Sequence, residues 1–198
     1  MCYKNEHFFC STIDFVYFCR KIRDMNFHEL VAKRRSHREY TDDELTAEDV
    51  HYILRAALMS PTSMNRKPLN FVVVDNRQTL QKLSDAKERG AGMLANAALC
   101  ILITADAKDS DCWIEDASIA AITMQYQAQD LDIVSCYVQI HGRYLSDGTS
   151  SEIVVRGILG IPEEQSILSA IAFGKPQKTL PKHVDEDLLW ERVHIGNW

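Results

Sequence analysis

The chain has 198 residues, enough for one domain with its own core, and its 46% hydrophobic and 25% charged residues are ordinary for a globular protein. A formal net charge of −6 argues against general nucleic-acid binding, which needs a basic surface, and no apolar run reaches the roughly 18 residues that span a bilayer. The cysteines (Cys2, Cys10, Cys19, Cys100, Cys112 and Cys136) include no C-x-x-C pair, so their spacing suggests neither a disulfide framework nor a zinc site and fits a reducing, cytoplasmic setting.

The first 24 residues stand apart. They hold Cys2, Cys10 and Cys19 and the phenylalanines Phe8, Phe9, Phe15 and Phe18. A signal peptide places basic residues before its apolar stretch, whereas here Asp14 interrupts that stretch and Arg20, Lys21 and Arg23 follow it. Regular patterning begins near Met25. Residues 1–24 are therefore read as an N-terminal extension outside the core fold, or as the product of an upstream translation start, and residues 25–198 as the domain.

Phe27 to Arg34 predicts a short helix. Thr46 is a good N-cap, Glu48 and Asp49 lie in the following turn, and Val50, Ile53, Leu54, Ala57 and Leu58 recur at helical spacing, which predicts an amphipathic helix over 47–58 ended by Pro61. Asn70 to Asp75 is a short buried strand. Residues 77–86 form a surface helix with Leu80 and Leu83 inward, and Gly90 and Gly92 open another short helical stretch. Leu99 to Thr104 is a second strand. The longest helix runs over 111–130, where Ile119, Ile122, Thr123 and Tyr126 suit burial against a helix of the same or another subunit. Ile133 to Ile140 is a third strand, Ser151 to Leu159 a helix stopped at Gly160, and Ile167 to Phe173 a fourth strand. The tail from Lys178 to Trp198 has no clear core pattern. Short strands among helices make the fold α+β or α/β.

Two segments carry chemistry. In Lys33-Arg34-Arg35-Ser36-His37-Arg38, an extended chain places Arg34, Ser36 and Arg38 on one side, about 6.7 Å apart. Two guanidiniums and a hydroxyl suit a phosphate, because arginine presents forked donors matched to its oxygens. A solvated basic helix end accounts for the same charges. Pro61 to Pro68 is a polar turn whose Thr62, Ser63 and Asn65 suit the edge of a neutral heterocycle, although it also reads as a plain loop. There is no G-x-G-x-x-G after a strand and no P-loop, and neither G-x-S-x-G nor H-E-x-x-H occurs. The seven histidines are scattered, so no metal cluster is expected.

The order of these pieces resembles the FMN-dependent nitroreductase family. R-R-S-x-R is followed by P-T-S-M-N-x-x-P and an F-V-V-V strand, then Asp116-Ala117, Ser135-Cys136-Tyr137, Leu159-Gly160-Ile161-Pro162 and Ala172-Phe173-Gly174-Lys175-Pro176. The similarity covers about residues 25 to 182. It implies an α+β three-layer fold with a central, mostly antiparallel sheet flanked by helices, in an obligate homodimer with FMN at the subunit interface. It further implies that Arg34, Arg35, Ser36 and Arg38 hold phosphate and ribityl groups. Pro61, Thr62, Ser63 and Asn65 would reach the partner's flavin, the backbone of Val138, Gln139 and Ile140 would lie beside the ring, and Lys182 would return to the phosphate. The implied activity is hydride transfer from NADH or NADPH through flavin to nitroaromatics, quinones or similar electron-poor acceptors, in ping-pong order. The cofactor then carries the chemistry, and no catalytic side chain, metal, nucleic acid or membrane is required. Relatives of the same fold also include dehalogenases and azoline oxidases, and a non-catalytic FMN-binding dimer is a further reading. Two places depart from the family pattern: Asp132 stands after Leu131 where many relatives have Gly, and His141-Gly142-Arg143 follows Ile140 where several have an acidic residue and a glycine. Lys87 and Arg89 read as solvated helix charges.

Overall fold

The computed structural model describes residues 26–198, and the N-terminal extension lies outside them. In chain order the main elements are α1 (Phe27–Lys33), α2 (Ala47–Leu58), β1 (Leu69–Val74), α3 (Arg77–Asp85), β2 (Leu99–Asp106), α4 (Trp113–Asp130), β3 (Val134–Gln139), α5 (Ser151–Leu159) and β4 (Gln165–Gly174). Short 3₁₀ turns occupy Ser63–Asn65, Gly92–Asn96, Asp185–Asp187 and Trp190–Arg192. The strands form one sheet in the order β1-β2-β4-β3, antiparallel throughout.

Alternation along the strands divides the core into two halves, which makes three layers. Cys100, Leu102, Val134, Cys136, Val138, Ala170 and Ala172 face α3, α5 and the Gly92–Asn96 turn. Ile101, Ile103, Ile171 and Phe173 face α2 and α4. β2 and β4 are buried along nearly their whole length, as expected for central strands covered on both faces.

Local chemistry sets the helix ends. The Thr46 hydroxyl accepts from the Asp49 N–H at 3.1 Å, the expected N-cap, and Asn26 caps α1 through the Glu29 N–H. The departure at Asp132 is accommodated by a Schellman motif. Asp132 sits at φ +55°, its N–H reaches the Gln129 carbonyl at 3.2 Å, and the Ile133 N–H reaches that of Ala128 at 2.8 Å. This turn feeds α4 directly into β3, so α4 and β3 run antiparallel.

The apolar repeat expected on α4 divides between two faces. Ala117, Ala120, Ala121, Met124 and Ala128 are buried in the chain's own core. Ile119 stays 39% exposed, Ile122 and Thr123 are half-buried, and Tyr126 meets Phe27 of α1 edge-to-face at 5.4 Å.

Candidate functional site

The basic segment is extended and anchored at both ends. The His37 N–H donates to the Ser135 carbonyl at 3.0 Å, with a parallel bridge at Ser36, so the segment lies along the outer edge of β3. Further on, the Thr41 N–H donates to the Lys175 carbonyl and Tyr40 bridges Pro176. Tyr40 is buried, its hydroxyl donates to the His37 carbonyl at 2.7 Å, and its ring lies flat enough on Gly174 that a Cβ there would come within 2.8 Å of it. Glycine at 174 is therefore a requirement of close approach rather than of backbone angle.

Alternation then sorts the side chains. His37 turns inward and is buried, while Arg35 donates to the Pro181 carbonyl at 2.9 Å and ties down the start of the tail. Arg34 and Arg38 have no carboxylate in salt-bridge range among the described residues. Arg38 donates to the Ser36 carbonyl at 3.3 Å. The arginine charges are felt beneath them. Burial, then Arg35 and Arg34, hold His37 below its ordinary 6.5. Burial pushes the Cys136 thiol upward against the opposing pull of Arg38 and Arg34.

Two cavities among the described residues adjoin the segment at His37. One, about 200 Å³, is lined by Ser36, His37, Arg38, Glu39, Lys178 and Leu180. The other, about 490 Å³, is lined by Lys33, His37, Gln129, Pro181 and Lys182 among others. Lys182 thus borders the far side of His37, and Lys178 is the tail cation that shares a cavity with Arg38. Lys178 itself pairs with Glu39 at 2.7 Å. The sequence expectation did not include it, because nothing in the flexible spacing of K-P-Q-K distinguishes one late lysine from another.

The second segment is a strained turn. Met64, Asn65 and Lys67 all adopt positive φ (51°, 55° and 53°) without being glycine. A buried carboxylate holds it: Asp116 Oδ1 accepts from the Ser63 N–H at 2.8 Å. The Thr62 hydroxyl accepts from the Lys67 N–H, and Arg66 reaches the Asp109 carbonyl and Asp111. Within one chain this turn and the basic segment are not brought together. Asp116 fixes the turn near the start of α4. The basic segment joins Ser135, whose hydroxyl donates to Gln125 near the other end. Asp116 to Gln125 spans about 13.5 Å of helix axis at 1.5 Å per residue.

At the end of β3, the Val138 and Ile140 side chains are buried, so only their backbone can face a ligand. Gln139 is half-buried and held from both sides: Tyr137 Oη donates to its Oε1 at 2.8 Å, and its Nε2 donates to the His141 carbonyl at 3.1 Å. Lys87 departs from expectation. It lies beyond the end of α3 and is half-buried, and burial followed by Arg143 pulls its pKa down. Arg89 is solvated, its side chain 90% exposed.

The class defined here is a three-layer α+β fold whose sheet edge carries the basic segment, with the turn held by Asp116 toward the other end of α4. The Nitroreductase family model matches residues 31–91 and 84–175. The chain is 32% identical over 175 residues to a putative NADH dehydrogenase/NAD(P)H nitroreductase of Archaeoglobus fulgidus, covering 86% of this chain and 97% of that one. Among solved structures it is similar to an FMN-dependent nitroreductase from Clostridium difficile R20291, with a TM-score of 0.84, 37% identity, and 85% and 98% of the two chains covered. A putative nitroreductase in complex with FMN from Desulfovibrio desulfuricans shares the fold, with a TM-score of 0.68, 21% identity, and coverage of 86% and 96%. The chain belongs to the nitroreductase family.

Proposed function

We propose that this chain is an FMN-dependent NAD(P)H oxidoreductase, working as a homodimer, that passes hydride to nitroaromatics, quinones or similar electron-poor acceptors in ping-pong order. The observation that carries this reading is the pair Arg34 and Arg38, with Ser36 between them, which have no carboxylate in salt-bridge range among the described residues of an acidic protein. The donor set fits FMN: guanidiniums and a hydroxyl for a phosphate dianion, and backbone with neutral polar groups for a planar ring. When bound, FMN supplies the hydride-accepting and hydride-donating chemistry. Arg34, Ser36 and Arg38 hold the phosphate, with Arg35 steadying the tail beside it and Lys178 or Lys182 closing over it. The backbone of Val138, Gln139 and Ile140 borders the ring.

Pro61, Thr62, Ser63 and Asn65 serve the partner's site, and the geometry of α4 explains how. Pairing α4 with its copy about a two-fold axis reverses one helix on the other. The partner's turn, near the start of its α4, then arrives at the end of this chain's α4, where the basic segment lies. Ile119, Ile122 and Thr123 supply the face for that pairing.

The test is anaerobic titration of the purified protein with NADH and NADPH, followed in the flavin absorbance band. Yellow protein that releases FMN and bleaches on titration is the expected result. Colourless protein that takes up no added FMN would refute the reading.

A further inference from the structure

Directly after Ile140, beyond the site residues expected from the sequence, lies a carboxylate–imidazole pair. His141 Nδ1 is 2.8 Å from Oε1 of Glu152 on α5. A carboxylate only accepts, so the hydrogen sits on Nδ1 and Nε2 is left to exchange a proton. Glu152 is fixed at its other oxygen, where Oε2 accepts from the Ile167 N–H at 3.1 Å. Its side chain is 17% exposed, against 39% for His141, so the carboxylate is inside and the imidazole at the rim.

The ring is also held from α4, where Trp113 meets it edge-on at 5.1 Å and 86°. Its backbone is pinned: the N–H donates to the Leu168 carbonyl at 3.0 Å, and the carbonyl accepts from Gln139. Glu152 is the charged group packed on the ring from α5, whereas Trp113 on α4 and Gln139 on β3 are neutral. The Tyr137 phenol, one hydrogen bond beyond Gln139, has its pKa raised by burial and stays protonated at neutral pH. Arg143 follows on the same loop, near Lys87. A base held by an orienting carboxylate, one residue beyond the strand end proposed to border the ring, is the arrangement of general acid–base catalysis.

We propose that His141 is the proton donor to the acceptor and that Glu152 is its positioning residue. This rests on the oxidoreductase reading above. Reducing a quinone to a hydroquinone takes one hydride and one proton. The hydride delivered by NAD(P)H through that activity brings the electron pair. The Nε2–H bond of the imidazolium breaks, an O–H bond forms on the acceptor oxygen, and the ring regains a proton from solvent through its exposed edge. Glu152 balances the imidazolium charge throughout.

The experiment is stopped-flow reoxidation of the FMN-loaded protein by benzoquinone after reduction with dithionite, beside a proton NMR spectrum of the flavin-free protein. His141→Gln is expected to reoxidise about 100-fold more slowly, within the usual range for losing a general acid. Added imidazole should restore part of the rate. In the flavin-free protein, Glu152→Gln should lose the slowly exchanging Nδ1 proton resonance while keeping the Ile167 contact through its amide oxygen. Wild-type reoxidation rates in His141→Gln overturn the proposal and leave the oxidoreductase reading intact. Protein that binds no FMN overturns both.

Discussion

His37 shows how one residue records the charge of its surroundings. Its ring is buried under two arginines, so its folded-state pKa lies below the ordinary 6.5. As pH falls through that value the unfolded chain takes up the proton first, so stability is retained above about pH 6.5 and declines as pH drops toward the folded value. Thermal melts between pH 5 and 8 are expected to show this decline in wild type and less of it in His37→Asn. Arg34 and Arg38 are the complementary case: among the described residues neither has a carboxylate in salt-bridge range. If both hold the phosphate as proposed, removing them (Arg34→Ala with Arg38→Ala) deletes two charge-assisted contacts of about 1.5–3 kcal/mol each and should weaken FMN binding by at least about 100-fold. Full flavin occupancy in the double variant, read by absorbance after desalting, would place the phosphate elsewhere.

At the scale of elements, two long-range contacts hold the site segments in place. Asp116 reaches 53 residues back to hold the 61–67 turn against three positive backbone angles, at Met64, Asn65 and Lys67. Asp116→Ala should destabilise the fold by about 1.5–3 kcal/mol and raise the Kd for FMN without touching the arginines. Asp116→Asn, which keeps an acceptor, should recover part of both, as measured by denaturant midpoint and flavin fluorescence. The second contact is Tyr40 on Gly174, which sets the height of the basic segment over the sheet. Gly174→Ala must displace the Tyr40 ring near its Cβ, where the side chain has little freedom. A loss of about 1–3 kcal/mol in equilibrium unfolding is expected.

For the whole molecule, the proposed dimer would join the 61–65 turn and the basic segment, which lie toward opposite ends of α4. If a two-fold axis across α4 joins them, disrupting the Ile119 and Ile122 face should cost flavin as well as assembly. Ile119→Glu with Ile122→Glu should elute as a monomer in light-scattering chromatography and lose FMN, although Arg34, Ser36 and Arg38 are untouched. A monomer that keeps its flavin would show that one chain builds the whole site. No helix among the described residues is long and apolar enough to cross a membrane.

The sequence by itself determined what depends on neighbours in the chain. Short continuous apolar runs marked β2 and β4, the Thr46 cap marked the start of α2, and the R-R-S-x-R order together with P-T-S-M-N marked the family. These signals are local because strand faces, caps and turn residues act over a few positions. Only the tertiary structure decided which cations share a cavity, since Lys178 and Lys182 are four residues apart on an irregular tail. It also decided that Arg35 is spent on the Pro181 carbonyl, that Asp116 supports a turn 53 residues earlier, and that Glu152 orients His141. None of these pairings has a period or a spacing to read. Each exists because packing of helices and tail around one sheet brings together groups that the chain itself keeps apart.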